Sequence, residues 1–106
     1  MAIDHVKRAR RAWPILAKMA NGHRAPCTYG GLCGRLSLHH RAAQWFLGEI
    51  QKECKRRKWP ALQALVVNKK TRLPGSGYHG SVRTYAGHEK ELNKVRGKRW
   101  PIKAPF

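Results

Sequence analysis

Gly75-Ser76-Gly77-Tyr78-His79-Gly80 spells G-x-G-x-x-G, the spacing with which dinucleotide enzymes fold backbone N–H groups around a pyrophosphate. That chemistry needs a strand running directly into the glycines, a helix opening within them and a carboxylate ~20 residues later to hold a ribose. Here the segment NKKTRLP (68–74) separates the apolar run Leu62–Val67 from the glycines. No helix start lies inside the loop, and the region reached later is Gly97-Lys98-Arg99-Trp100-Pro101. The loop therefore reads as a turn with glycines for tight reversal, and no cofactor is expected.

Six histidines raise a second chemistry, acid–base cleavage of a phosphodiester. His39 and His40 are adjacent, and adjacent positions on a helix do not share a face. The chain has only five carboxylates, and none forms a recognisable constellation with His79 or His88. No catalytic residue is assigned, and His39 and His40 are placed on phosphate or at a helix start. A zinc site built from Cys27, Cys33, His39 and His40 fails on spacing. The C-x5-C interval does not suit a zinc knuckle, and a helix opening at Ser37 would scatter the ligands. No metal is expected. Three cysteines are an odd, sparse set that suits reduced thiols acting as small buried hydrophobes, and hence an intracellular protein, cytoplasmic or nucleoid-associated.

What binds, if nothing reacts, follows from charge. The 106 residues carry 23 Lys plus Arg against 5 Asp plus Glu, a formal net charge of +18. Self-repulsion at that charge opposes the compact state, so a polyanionic partner is the economical explanation, nucleic acid first. The cations are spread along the chain, and no acidic residue stands between Glu53 and Glu89. A basic surface wrapped around one small domain fits this pattern better than a basic arm. No apolar run approaches the ~20 residues of a membrane span, and MAIDHVKRARR lacks the apolar centre of a signal peptide. No membrane partner is expected.

The elements that must carry this surface are mostly helical. Ile3, Val6, Ala9, Trp13, Leu16 and Ala20 recur at steps of three and four, predicting a helix over Asp4–Ala20 with Asp4 as cap, a kink or split at Pro14 and a stop at Asn21-Gly22. A short glycine-rich helix is expected from Thr28 to Leu36. A long helix capped by Ser37 is expected to run to Lys58, with Ala43, Phe46, Ile50 and Cys54 inward and Arg41, Gln44, Gly48, Lys52 and Lys55 on the opposite face. Leu62–Val67 reads as a strand, NKKTRLPGSG as a turn and Tyr78 as the start of a returning strand. His88–Arg96 closes the fold as a last helix. Residues 1–97 thus form a single winged helix-turn-helix domain, mostly α with a small β hairpin, and 98–106 a basic, proline-broken tail. Trp13 falls on the core stripe, and packing is favoured over base stacking for Trp59 and Trp100.

Four short words in this frame carry a resemblance: Thr28-Tyr29-Gly30, Arg41-Ala42-Ala43, Val66-Val67 and Gly77-Tyr78-His79-Gly80. In order and approximate spacing they resemble the DNA-binding half of the alkylguanine DNA alkyltransferases and alkyltransferase-like proteins, over about half of the chain. The resemblance implies a winged helix that binds the minor groove and rotates a base out of the stack. It implies that Tyr29 presses on the target nucleotide's phosphate and that Arg41 fills the gap left by the base. Where that family has PCHRVV this chain has ALQALVV (61–67), so the reactive cysteine and its histidine are missing and alkyl transfer is not expected. The run KECKRRKW (52–59) is a further departure.

The combined reading is a nucleic-acid-binding protein without catalysis, duplex DNA favoured and RNA open. Its expected contacts are Tyr29, Ser37, His39, His40, Arg41 and Gln44 around the second and third helices. Lys52, Lys55 and Arg56 extend them along the third helix, and Lys69, Lys70, Arg72 and Tyr78 belong to the wing. Two competing readings stand beside it: a small nuclease or ribonuclease toxin using its histidines, and a phage or mobile-element protein whose partner is an acidic protein.

Overall fold

The computed structural model describes residues 4–74 and 84–106. Gly75–Gly80, expected in the wing, and the expected returning strand at Tyr78 lie outside the described residues.

Helix α1, His5–Asn21, opens where Asp4 accepts a hydrogen bond from the Lys7 N–H at 2.8 Å. It buries Ala9, Ala12, Trp13, Leu16, Ala17, Met19 and Ala20 and continues past Pro14 without a break. Buried residues on both sides of the proline, Trp13 and Leu16, hold the two halves on one core and so overrule the expected split. Strand β1, Cys27–Thr28, leads directly into helix α2, Tyr29–Arg35. A 3-10 turn over His40–Ala42 precedes helix α3, Ala43–Arg56. Another 3-10 turn, Leu62–Leu65, enters strand β2, Val66–Val67, and helix α4 spans Tyr85–Arg96.

The fold is mostly helical, as expected, but the small sheet is not a hairpin among the described residues. Strands β1 and β2 pair in parallel, Cys27 opposite Val66 and Thr28 opposite Val67. The longer strand expected over Leu62–Val67 is reduced to its last two residues. Leu62–Leu65 form a 3-10 turn instead, with all four residues buried.

Ser37 is the second correction. It does not cap the third helix. It ends the second, in the left-handed backbone region at φ 56°. Leu38 N–H donates to Cys33 O and Ser37 N–H to Gly34 O, at 2.9 and 3.2 Å, the paired bonds of a Schellman closure. α1 and α3 end in the same way around His23 (φ 51°) and Lys58 (φ 58°). Arg24 N–H reaches Met19 O at 2.9 Å, and Trp59 N–H reaches Cys54 O at 2.8 Å. Three helices thus close on a side chain where glycine is the unstrained choice. Ser37→Gly is accordingly expected to stabilise the protein by about 0.5–1 kcal/mol, read as a higher urea midpoint with an unchanged m-value.

Helices α2 and α4 begin on the same four-residue word, Thr-Tyr-x-Gly. Thr28 Oγ1 accepts from Gly31 N–H and Thr84 Oγ1 from Gly87 N–H, each at 3.0 Å. The cap puts the start of α4 at Tyr85, three residues ahead of the expected His88. His88 is instead a buried residue inside α4. Its Nε2–H donates to Ala64 O at 2.8 Å and ties the helix to the 3-10 turn.

The C-terminal segment is part of the core rather than a tail. Trp100 is 2 % exposed. Asn21 pairs with its backbone twice, accepting from Trp100 N–H at 2.8 Å and donating to Trp100 O at 3.0 Å. Trp13 Nε1–H donates to Pro101 O at 2.8 Å and Arg10 to Phe106 O at 2.7 Å. Trp13, Trp59, Trp100 and Phe106 form one aromatic cluster, with Trp13 5.7 Å from both Trp100 and Phe106. Lys98 Nζ lies 4.2 Å from the Trp59 ring centroid, so the basic residues of this segment cover aromatic faces as they reach solvent.

Candidate nucleic-acid interface

Parallel pairing of β1 with β2 sends the two chains out of the sheet at the same end. Beyond Thr28 comes Tyr29, the first residue of α2, half-buried against the core. Beyond Val67 comes a tight reversal over Asn68–Leu73. Asn68 N–H donates to Leu73 O at 2.8 Å and Arg72 N–H to Asn68 O at 2.7 Å. The Asn68 side chain accepts from Lys70 N–H at 2.9 Å, and Leu73 N–H donates to the Thr71 hydroxyl at 3.2 Å. Asn and Thr are the side chains that make such local bonds, and here they leave Lys69, Lys70 and Arg72 exposed. Arg72 sits at φ 60°.

Arg41 lies in the 3-10 turn His40–Ala42, which packs against α2 and α3. Arg41 N–H donates to His39 Nδ1 at 3.2 Å, and Ala42 N–H donates to His39 O at 2.9 Å. His39 therefore caps the turn, one of the two roles expected of it, and His40 is the turn's first residue. Ser37 is exposed on the α2 closure, away from the helix start that it was expected to cap. Gln44 is exposed in the first turn of α3. Lys52, Lys55 and Arg56 are exposed too, but at 1.5 Å per residue Lys55 and Arg56 lie about 20 Å along the axis from Arg41. Tyr29 and the basic turn leave the β pair at one end, and the basic run at the end of α3 lies far along that helix from Arg41.

Carboxylates decide how much of this charge is free. Asp4 caps α1. Glu49 pairs with Lys52 at 3.4 Å, Glu91 with Lys94 at 3.6 Å and Glu89 with Arg96 at 3.8 Å. Glu53 holds Arg56 and, at 2.6 Å, Arg57, whose guanidinium also donates to Pro105 O. The hydrogen bonds from Arg56 and Arg57 keep the Glu53 carboxyl below the ordinary carboxylate range. Every acidic side chain is thus used locally. Among the described residues, Arg41, Lys69, Lys70 and Arg72 have no carboxylate within 4 Å.

Tyr85 was missed by sequence reasoning. It is 66 % exposed, and its hydroxyl donates to Thr71 O at 2.8 Å, which fixes a bare aromatic ring beside the basic turn. The repeated Thr-Tyr-x-Gly word was the signal that could have found it. The cysteines show no reactive character. Burial pushes the Cys54 thiol up to about 11, and those of Cys27 and Cys33 above their ordinary value. Among the described residues no three His, Cys, Asp or Glu side chains gather to hold a metal ion. No helix among them is long and apolar enough to cross a membrane.

Comparison with protein-family models, curated proteins and solved structures found no match to this chain.

Proposed function

We propose that this protein binds nucleic acid, duplex DNA foremost, through a winged helix-turn-helix and without catalysis of its own. The observation that carries the proposal is that Tyr29 and the turn bearing Lys69, Lys70 and Arg72 leave the β pair at one end, with no carboxylate within 4 Å of these three cations or of Arg41 among the described residues. In this reading α2 and α3 are the two helices of the motif and α3 enters a groove. The reversal at Asn68–Leu73 is the base of the wing, and its cations take flanking phosphates. Tyr29 and Arg41 then stand where the resembling family presses on a phosphate and fills the stack, so local distortion of the duplex belongs to the proposal.

Fluorescence anisotropy with labelled duplex DNA, single-stranded DNA and duplex RNA over a salt series tests it. Duplex DNA is expected to bind tightest, and the three phosphate contacts of the turn alone contribute about −2.7 to the slope of log affinity against log salt. Equal binding to all three, or a flat salt dependence, rejects the winged-helix reading. Cleavage of any labelled strand, with or without chelator, rejects its non-catalytic part.

A further inference from the structure

Trp45 is the largest apolar side chain that the described fold leaves in water, 55 % exposed, although its neighbours Ala43, Phe46 and Leu47 are buried. It lies beside the core stripe of α3 rather than on it. The imidazole of His5, from the first turn of α1, stacks on the indole with ring centroids 5.4 Å apart and planes 21° from parallel. Among the described aromatic rings His5 is the one that contacts it. One ring accounts for one face of the indole, and more than half of the residue's surface remains exposed. Gly48, one helical turn on, adds no wall. A Cβ built there would meet nothing within 4 Å.

Cations stand on both sides along the helix. Lys52, seven residues after Trp45 on α3, falls near the same helix face, Arg41 lies in the 3-10 turn that leads into the helix, and both are exposed. The Lys52 side chain is 77 % exposed in its pair with Glu49, and such surface pairs yield readily to a competing anion. A protein partner seated on Trp45 would call for apolar neighbours, whereas Arg41, Gln44 and Lys52 are polar and Val6 is the one exposed aliphatic residue in the adjoining turn of α1. An aromatic face flanked by cations is how sites for unpaired nucleotides are built, because every base offers a π-face and every linkage a charge.

We infer that the Trp45 indole is a stacking platform for one unpaired nucleobase, with Lys52 holding a phosphate of the strand that carries it. This rests on the nucleic-acid reading above and extends it from the duplex backbone to a base outside the stack. Trp45→Ala and Trp45→Phe, checked for folding by thermal melting, are compared with the unaltered protein on three probes: a perfect duplex, the same duplex with one unpaired adenine, and a single strand. Trp45→Ala is expected to weaken the second and third by about tenfold, to leave the first unchanged and to keep the salt slope. Trp45→Phe, which removes no core contact and keeps a ring, is expected to recover most of the loss. Equal affinities for all three probes in the alanine and unaltered proteins overturn the inference while the duplex reading stands. So does a Trp45→Ala protein that sediments as a monomer where the unaltered chain is a dimer, since the indole then serves a second copy. Failure of the unaltered protein to bind any probe overturns both.

Discussion

Neutralising the basic turn, by Lys69→Gln, Lys70→Gln and Arg72→Asn together, is expected to lower affinity for duplex DNA about a hundredfold at physiological salt. The slope of log affinity against log salt should flatten by about 2.7, since each phosphate contact contributes about 0.9. The magnitude follows from three charge-assisted contacts at roughly 1 kcal/mol each. The turn itself should survive, because Asn68 and Thr71 hold it and neither is touched. Asparagine is chosen for position 72 because it tolerates the left-handed backbone there. A control with Lys18, Lys90 and Lys103 changed to Gln removes the same charge from exposed positions elsewhere. A comparable loss in the control would mean that diffuse charge, not this turn, binds the DNA. Anisotropy titrations of both variants over one salt series decide it.

Helices were legible in the sequence wherever an apolar stripe decided them. Ala43, Phe46, Ile50 and Cys54 were read as the inner face of α3, and all are buried. Asp4 was read as a cap and is one. Boundaries failed where two signals share a residue type. A serine before an apolar run suggests a helix start, but Ser37 closes the preceding helix, because the bonds from Leu38 to Cys33 and from Ser37 to Gly34 satisfy two carbonyls that α2 would otherwise leave open. Glycine usually announces that closure, and here Ser37, His23 and Lys58 take its place. The parallel β pair was illegible for another reason. It joins residues 39 positions apart, Cys27 and Val66, in strands of two residues each, too short to show any alternation.

The candidate interface was legible as charge but not as geography. Composition raises the expectation of a polyanionic partner, yet it cannot separate the Lys69–Arg72 turn from the α3 run of Lys55 and Arg56. That separation depends on which strand lies beside β1. Nor does composition show which cations are already paired, as Arg56 and Arg57 are through Glu53. The aromatic residues divide on the same ground. Packing is the favoured reading of Trp59 and Trp100, each before proline among cations, and both do belong to the cluster around Trp13. Trp45 sits on a helix with a clear core stripe and faces water.

Trp100→Ala is expected to destabilise the protein by about 3–5 kcal/mol, the range for deleting a large buried aromatic side chain. The loss would take a large part of the ~5–15 kcal/mol available to a domain of this size. Several contacts go together: the packing on Trp13 and Trp59 at 5.7 Å each, and the indole N–H bond to Val95 O at 2.7 Å. The Trp100 backbone bonds to Asn21 do not depend on the indole, but with the cluster opened they must hold the segment against its regained chain entropy. The Trp13 bond to Pro101 O and the Arg10 and Arg57 bonds to Phe106 O and Pro105 O weaken with them. At a few degrees per kcal/mol, the melting temperature should fall by about 15–30 °C. A detachable basic tail behaves differently. Its loss would leave the melting temperature where it was and remove only charge. Thermal melting of Trp100→Ala beside Lys103→Gln, whose side chain is exposed, separates the two pictures. A Trp100→Ala protein that melts within a degree or two of the unaltered chain would place the aromatic cluster outside the cooperative core.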